Sequence, residues 1–456
     1  APIPEVTDRS RFQAGKTLLL EGRLGHRVLP AASESQTFLF VDVSADAAAR
    51  AQTRVPLNLS IVIDRSGSMK GNRLQNAMAA ARASIERLRD GDIVGVITYN
   101  TAAEVVVAPT VIDAVSRARV LRELARPRAA GDTCISCGID AGMRQLGAHA
   151  GMVSRILLLS DGAATAGVRD VPGFRRIAED CRRTGASITT IGVDVDYDER
   201  IMAALARDSN GRHFFVENPD GLPTILDGEM AALTRTVADQ AEVVVDLSPG
   251  VVAERVFDRA TAASGNQVVV PLGAFAAGER KTVLVQLRVP RGPAGERPIA
   301  TVRLRYDDLV ESAPGKSEGT LIALISKDPS QLTPLDGVVS ARVSSSETAT
   351  VLETINSLAR DGKLGDARSL LAEQSEELAK RRQAAIETTA APASAAVVDA
   401  AFARQESALG AAGQGFVPPV GATATPAGAR GRGAGADRAS KAQIRSNQAE
   451  SFDLSE

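Results

Sequence analysis

Hydrophobic residues occur in two alternating patterns in the central part of the chain, between residues 56 and 239. Short apolar runs, such as 57–63 and 155–160, predict strands that are buried on both faces. Between such runs, apolar residues recur every three or four positions, as in residues 73–88, which predicts amphipathic helices. Because strands and helices alternate regularly, we predict a Rossmann-like α/β unit with a doubly wound, mostly parallel sheet.

One pair of strands in this unit departs from the parallel pattern. Residues 93–99 and 104–107 are joined by a short turn that contains Asn100, which predicts an antiparallel hairpin at the sheet edge. The other predicted strands are 57–63, 155–160, 187–193 and 213–216, and the predicted helices are 73–88, 113–124, a helix from Thr133 to 146, 173–183, 199–207 and 222–237.

Segments on both sides of the α/β unit alternate polar and apolar residues. Two such segments precede the unit, and five follow it, separated by Gly, Pro and Asp turns. The early strands cannot bury themselves alone, so we expect them to pair with the late ones in an antiparallel β-sandwich that the α/β unit interrupts. The predicted strands are 17–28, 37–43, 241–247, 267–271, 281–289, 300–306 and 320–326.

The last part of the chain predicts a helical hairpin followed by disorder. Residues 350–358 and 364–378 are amphipathic and resemble a single tetratricopeptide-like pair, which we expect to pack on the rest of the chain. From 388 onward, small and polar residues predominate, which predicts disorder. The tail is sparsely basic, with Arg430, Arg432, Arg438, Lys441 and Arg445. The predicted boundaries are 1–50 and 240–328 for the sandwich, 56–239 for the α/β unit, 345–385 for the hairpin and 388–456 for the tail.

Polar oxygen ligands follow the buried strands of the α/β unit. Asp64, Ser66 and Ser68 come directly after the first strand, and Asp161 follows the strand that ends at 160. In such sheets, ligands bind beyond the carboxyl ends of the strands. Carboxylates and hydroxyls suit Mg²⁺, Mn²⁺ or Ca²⁺ rather than copper or zinc. A loop that carries Thr133 could supply a further oxygen.

The order of these residues resembles a known metal site. Asp64-x-Ser66-x-Ser68, then Thr133, then Asp161 is similar to the metal-ion-dependent adhesion site of von Willebrand factor type A domains. The resemblance implies that the three hydroxyls ligate the ion and that both aspartates contact it directly or through water. The interrupted sandwich is similar to that of bacterial type A proteins and inter-alpha-trypsin inhibitor heavy chains.

Simpler interpretations exist for the same residues. Ser and Thr cap helices, and Asp-Gly sequences form turns, although this does not explain five oxygen ligands at one sheet edge. Asn100 and Asp132 are candidates for orienting the ligands, and both are also ordinary loop residues. The acidic segment 194–199 could hold a second cation, but we favour a solvated rim at which Glu199 opens a helix.

Composition narrows the functional classes. With 456 residues the chain is too long for one core, and its net charge of −2 gives no general attraction to nucleic acid or membranes. No apolar run is long enough for a membrane span or a signal peptide, so we expect a cytoplasmic protein, with processing for export left open.

The three cysteines are too few for a disulfide framework. Cys134 and Cys137 form a CxxC at a predicted helix start, where thiol pKa values fall, so a redox role or a zinc site is one interpretation. Because no further cysteine or histidine spacing completes a zinc site, we favour two cysteines that pack within a helix.

Two functional hypotheses follow. The first is a non-enzymatic adhesion, scaffold or adaptor module that binds an Asp or Glu of a partner protein through the metal. The second is a Mg²⁺-dependent phosphoryl-transfer enzyme of the haloacid-dehalogenase type. Such enzymes normally carry a second Asp two residues after the first, and here that position is Ser66. We therefore favour the binding module, and nucleic acid is not an expected partner.

Overall fold

The structure is a computed structural model that describes residues 8–50, 55–124, 128–147, 151–259, 261–389, 392–415 and 429–455. Four strands precede the α/β unit: β1 (Arg11–Gly15), β2 (Leu18–Leu24), β3 (Val28–Pro30) and β4 (Ser35–Ala45). β2 pairs antiparallel with β4, so the two early segments lie next to each other in one sheet.

The predicted α/β unit is confirmed. Its sheet has the order β10-β9-β8-β5-β6-β7, in which only the β6–β7 pair is antiparallel, as the predicted edge hairpin requires. The elements are β5 (Leu57–Asp64), α1 (Asn72–Arg87), β6 (Ile93–Tyr99), β7 (Ala103–Val111), α2 (Ala114–Glu123), α3 (Ile135–Leu146), β8 (Val153–Ser160), α4 (Val171–Arg183), β9 (Ala186–Val193), α5 (Glu199–Asp208), β10 (His213–Val216) and α6 (Leu222–Leu233).

Helices cover both faces of this sheet. Every residue of β5 and β6 is buried, because α1 and α6 pack on one face while α3, α4 and α5 pack on the other. Two separate hydrophobic cores result, one on each side of the sheet. The central strand β5 is therefore held rigidly, and so is the position of the polar residues that follow it.

Seven further strands follow: β11 (Thr236–Leu247), β12 (Val252–Val256), β13 (Ala262–Ser264), β14 (Gln267–Ala276), β15 (Arg280–Val289), β16 (Gly295–Asp308) and β17 (Ala313–Ser326). They join the early strands in two sheets, β1-β2-β4-β15-β12 and β13-β14-β11-β16-β17-β3. β4 pairs antiparallel with β15 over ten residues, although the α/β unit separates them in sequence. Buried residues of both sheets form one hydrophobic core.

The predicted end of one helix at the edge of this region is wrong. The helix expected over 222–237 ends at Leu233, because Thr236 and Val237 already belong to β11 and Val237 is buried in the core shared by the two sheets. The short strands β12 and β13 were not predicted.

Four long helices end the chain: α7 (Gly337–Arg360), α8 (Leu364–Glu387), α9 (Pro392–Gly415) and α10 (Ala429–Ser455). The disorder predicted from 388 is therefore wrong for 392–415 and 429–455. The last two helices are rich in small residues, but their larger apolar residues Phe402, Leu409 and Leu454 are buried in a core shared with α7 and α8. Residues 416–428 of the predicted tail, and the side chains of Arg430 and Arg432, lie outside the described residues.

The helical region packs on the rest of the chain, as predicted for the hairpin. Val339 and Val343 of α7 bury against Phe40 of β4 and Leu284 of β15. Among the described residues, none of the helices has the length and apolar character needed to cross a membrane.

Candidate metal-binding site

Asp64 is the last residue of β5, and its fully buried carboxylate is held at both oxygens. Oδ1 accepts a hydrogen bond from the backbone N–H of Ser66 at 2.8 Å. Oδ2 accepts one from the hydroxyl of Ser160 at 2.7 Å. Because Ser160 ends the neighbouring strand β8, these two bonds tie the ends of adjacent parallel strands together.

The two serines after Asp64 connect it to the next strand end. The chain turns through a short 3₁₀ segment at Gly67–Met69, which brings Ser66 Oγ to 3.0 Å from Ser68 Oγ. Ser68 Oγ then donates a 2.6 Å hydrogen bond to Asp161 Oδ1. The side-chain oxygens of Ser66, Ser68 and Asp161, three of the five predicted residues, are therefore linked by hydrogen bonds.

Thr133 reaches the same place from a separate loop. This loop is fixed to the first one because Gly67 N donates to Gly131 O at 3.0 Å and Ala130 N donates to Arg65 O at 2.9 Å. A Cβ atom added at Gly162 would lie 3.2 Å from Ser68 Oγ and 3.4 Å from Thr133 Oγ1. The glycine thus leaves a space toward which both hydroxyls converge.

Neither predicted orienting residue contacts the five oxygen ligands through its side chain. Asn100 Nδ2 donates to Ala130 O at 2.8 Å, so this side chain supports the loop that carries Thr133. Asp132 is exposed, and the bond recorded for it runs from its backbone N–H to Thr101 Oγ1.

Sequence reasoning missed Arg73 at the edge of the site, and it considered Asp194 only as part of the acidic segment 194–199. Arg73 on α1 donates to Asp161 Oδ2 at 3.0 Å and also pairs with Asp194. Asp194 follows β9 with a left-handed backbone (φ 63°), a conformation that Asp adopts more readily than most residues. No sequence spacing links Arg73 to Asp161, because the two residues meet only through the packing of α1 beside β8.

Burial raises the pKa of both carboxyl groups in the site, which disfavours their ionised forms. It raises the pKa of Asp64 to about 6, although hydrogen bonds from Ser66 and Ser160 oppose the shift. Burial also raises the pKa of Asp161, against the opposing effects of the Ser68 hydrogen bond and Arg73. A cation next to these groups would favour their charged forms.

The donor set fits a hard divalent cation. The converging atoms are hydroxyl and carboxylate oxygens, which Mg²⁺, Mn²⁺ and Ca²⁺ prefer. In the described part of the chain, no group of three or more His, Cys, Asp and Glu side chains is arranged to hold a metal. A metal at this edge would therefore depend on the hydroxyls, and a zinc site at the CxxC has no supporting ligand cluster there.

The acidic segment 194–199 is the solvated rim that the sequence predicts only at the exposed Asp196, because Asp194 and Glu199 are buried. Glu199 opens α5 as predicted, but it is buried and pairs with Arg360 of α7 and with Arg445 of α10, the latter at 2.5 Å. Asp194 pairs with Arg438 at 2.8 Å. The prediction failed because the basic tail forms a helix that packs on this segment.

Cys134 and Cys137 form a disulfide directly after Thr133. The interpretation as two separate packing thiols is therefore wrong, while Cys181 is a buried free cysteine. Burial raises the pKa of the Cys181 thiol to about 12, so this thiol is unreactive.

Comparisons with known proteins agree with this architecture. Residues 58–227 match the family model of the von Willebrand factor type A domain. Two curated bacterial proteins, both named as uncharacterized, are similar over about half of the chain. Protein sll0103 of Synechocystis sp. is 28% identical, with 56% of this chain and 62% of that protein covered. YfbK of Escherichia coli is 27% identical, with 55% of this chain and 44% of that protein covered.

Solved structures share the fold over a larger part of the chain. A von Willebrand factor type A protein from Catenulispora acidiphila superposes with a TM-score of 0.66 at 19% identity, covering 80% of this chain and 89% of the other. The ArnB paralog VWA2 from Sulfolobus acidocaldarius gives a TM-score of 0.55 at 17% identity, covering 86% and 93%. At these identities the likeness concerns the fold alone. Together with the family match, it shows that residues 58–227 have the fold of a von Willebrand factor type A domain.

Proposed function

We propose that this protein is a divalent-metal-dependent protein-interaction module. Von Willebrand factor type A domains are generally protein-interaction modules, are typically non-enzymatic, and often bind a divalent metal. In this proposal Ser66, Ser68, Thr133, Asp64 and Asp161 hold Mg²⁺, or Mn²⁺ or Ca²⁺ in its place. The observation that carries the proposal is the convergence of hydroxyls from two loops beside the Asp161 carboxylate.

The metal would supply an electrophilic centre with room for one further oxygen. Hydroxyl ligands contribute little negative charge, so the attraction for an added carboxylate remains strong. The chain's own residues keep the ligands in place, since Ser160 holds Asp64 and the Gly67–Gly131 bond holds the two loops together. An Asp or Glu of a partner protein would complete the shell.

We also infer that the two flanking sheets form one β-sandwich interrupted by the type A domain. The pairing of β4 with β15, the pairing of β3 with β17 and the shared core support this inference. The arrangement is the one expected from inter-alpha-trypsin inhibitor heavy chains. In this view the sandwich and the helical region present the metal-binding edge to partners.

Isothermal titration of the full chain with Mg²⁺ and Mn²⁺ tests the metal. We expect one binding event that disappears when Asp64→Ala and Ser66→Ala are combined. Asp90→Asn is the matched control, because this carboxylate lies on an exposed loop and pairs with Arg117. Unchanged titration curves in the double variant would refute the proposed ligand set.

A partner-capture experiment from native extract, with and without EDTA, tests the metal bridge. Chelation and the double variant should both release the partner while leaving the circular dichroism spectrum unchanged. Capture that survives both treatments would refute the bridge. An assay of phosphatase activity with Mg²⁺ tests the enzymatic alternative, and turnover that Asp64→Asn abolishes would overturn the proposal.

A further inference from the structure

A pocket of about 660 Å³ adjoins the candidate metal site, between α1 and the described residues Leu124, Arg128 and Ala129. Its volume falls in the range of typical ligand pockets, about 300–1,000 Å³. The apolar part of its lining consists of Met69, Leu74, Met78, Ala79, Leu124 and Ala129.

The pocket and the metal site share the same two loops. Met69 directly follows Ser68, and Ala129 lies just before Gly131 in the loop that carries Thr133. Because these loops are hydrogen-bonded to each other, they hold the pocket and the site next to each other. A chain segment bound at the metal would therefore extend over the pocket.

The charged part of the lining is entirely basic. Lys70, Arg82 and Arg128 are exposed at the pocket, and the described residues of the lining include no Asp or Glu. In the described part of the chain none of these three has an ion-pair partner, whereas Arg73 and Arg87 on the same helix α1 each pair with an aspartate. The pocket thus has positive charges that no described residue of the chain pairs with.

We propose that this pocket takes a large apolar side chain of an acidic protein segment whose Asp or Glu reaches the metal. Further acidic residues of the segment pair with Lys70, Arg82 and Arg128. This inference rests on the proposed function and specifies its partner: a segment that combines acidic residues with an apolar anchor. Such a division, with an apolar centre and charged surroundings, is typical of protein recognition sites.

The alternative to an acidic protein segment, as the partner of a pocket with three basic side chains, is nucleic acid. Single-stranded nucleic acids are usually bound by basic grooves with aromatic side chains on which the bases stack. The lining of this pocket contains no aromatic residue, while its apolar part offers nothing to a phosphate backbone. The combination favours an acidic, partly apolar protein segment.

A random peptide library displayed on phage, selected on the full chain in Mg²⁺ buffer, tests the proposal. We expect enriched peptides to carry a net negative charge and to place an Asp or Glu close to a large apolar residue. Enriched peptides that are neutral or basic, or the absence of any enrichment, would overturn the proposal.

Fluorescence polarisation with one enriched, labelled peptide then locates its binding surface. Combining Lys70→Glu with Arg82→Glu should weaken binding by about tenfold or more, because charges of the wrong sign face the acidic segment. Met78→Glu should weaken it by a similar factor. Arg89→Glu is the matched control, since Arg89 is an exposed basic residue beyond the end of α1 and outside the lining.

The outcomes separate this inference from the proposed function. Binding that EDTA abolishes but that all pocket variants retain would overturn the pocket assignment and leave the metal bridge standing. Loss of binding in the pocket variants supports the pocket as the binding surface. Whether EDTA also abolishes binding then tests the metal bridge separately. If Met78→Glu does not fold, the exposed Lys70 and Arg82 variants still decide. An oligothymidylate that binds more tightly than the peptide, with the same variant sensitivity, would overturn the protein assignment.

Discussion

The candidate metal site lies between two surfaces of opposite character. On the open side, the pocket beside α1, the basic residues Lys70, Arg82 and Arg128 are exposed, and none has an ion-pair partner among the described residues. On the closed side, the segment 194–199, Asp194 and Glu199 are buried and pair with arginines. The two sides therefore differ in whether their charged residues form ion pairs within the described part of the chain.

Basic residues of α10 neutralise the acidic residues of the closed side. Arg438, Lys441 and Arg445 of this helix pair in turn with Asp194, Asp196 and Glu199. Its Phe452 packs against Ala203 and Ala206 of α5. The charges of the closed side thus stabilise the folded chain, whereas those of the open side make no ion pair with any described residue.

Removing the charge of Glu199 should have the largest effect. Glu199→Gln removes the carboxylate that pairs with Arg445 and with the exposed Arg360. Because Glu199 and Arg445 are buried, the loss of their pair costs about 3–5 kcal/mol. Hydrogen exchange of the α10 amides measures this loss as a lower free energy of local opening. Glu104→Gln is the control, because Glu104 forms an exposed pair with Arg65, and such pairs contribute about 0–1 kcal/mol. Equal effects in both variants would contradict the distinction between the two sides.

Truncating the apolar contact of α10 should have the next largest effect. Phe452→Ala removes a buried ring that packs on α5 and lies 6.0 Å from the His213 ring, at a cost of about 3 kcal/mol. The same exchange measurement should show faster exchange throughout α10. Val397→Ala on α9 is the control because Val397 is exposed. Unchanged exchange in Phe452→Ala would show that the ion pairs alone hold the helix.

The buried His213 should make the closed side sensitive to acid. Burial lowers its pKa from 6.5 to about 3. Below pH 6.5 the unfolded chain therefore binds a proton at this residue that the folded chain does not, so stability falls as the pH falls. The loss is about 2 kcal/mol at pH 5 relative to pH 7.

Urea unfolding of wild type and His213→Gln at both pH values measures this contribution. The other titrating groups are common to the two proteins, so the difference between their pH dependences isolates His213. A variant with the same pH dependence as wild type would contradict the assignment.

Charge removal on the open side should have the smallest effect on stability. Lys70→Ser and Arg82→Ser should each change the free energy of unfolding by less than about 0.5 kcal/mol, as is usual for exposed residues without specific contacts. Thermal unfolding followed by circular dichroism measures this change. A loss above about 1 kcal/mol would mean that these side chains stabilise the fold and are not reserved for a partner.

Local patterns were sufficient to predict the α/β unit and the place of its candidate site. Residues 57–63 were predicted as a buried strand from their composition, and the structure places β5 there with Asp64 at its carboxyl end. Because parallel strands end at the same edge, Asp64 and Asp161 could be assigned to one place from the sequence alone. The structure brings Ser66, Ser68, Thr133 and Asp161 together there. The bound metal remains a prediction.

The sequence by itself determined the elements whose apolar periodicity is strong, because burial on a strand or a helix face repeats locally. Only the tertiary structure decided which charged residues form ion pairs with each other. Lys441 and Asp196 are 245 residues apart, and no local pattern distinguishes a paired arginine, such as Arg438, from an unpaired one, such as Arg82. The helix α10 was missed for the same reason: its few apolar residues are buried only because α5 and α7 lie beside it. Contacts between distant segments depend on how whole elements pack, which a single sequence does not encode locally.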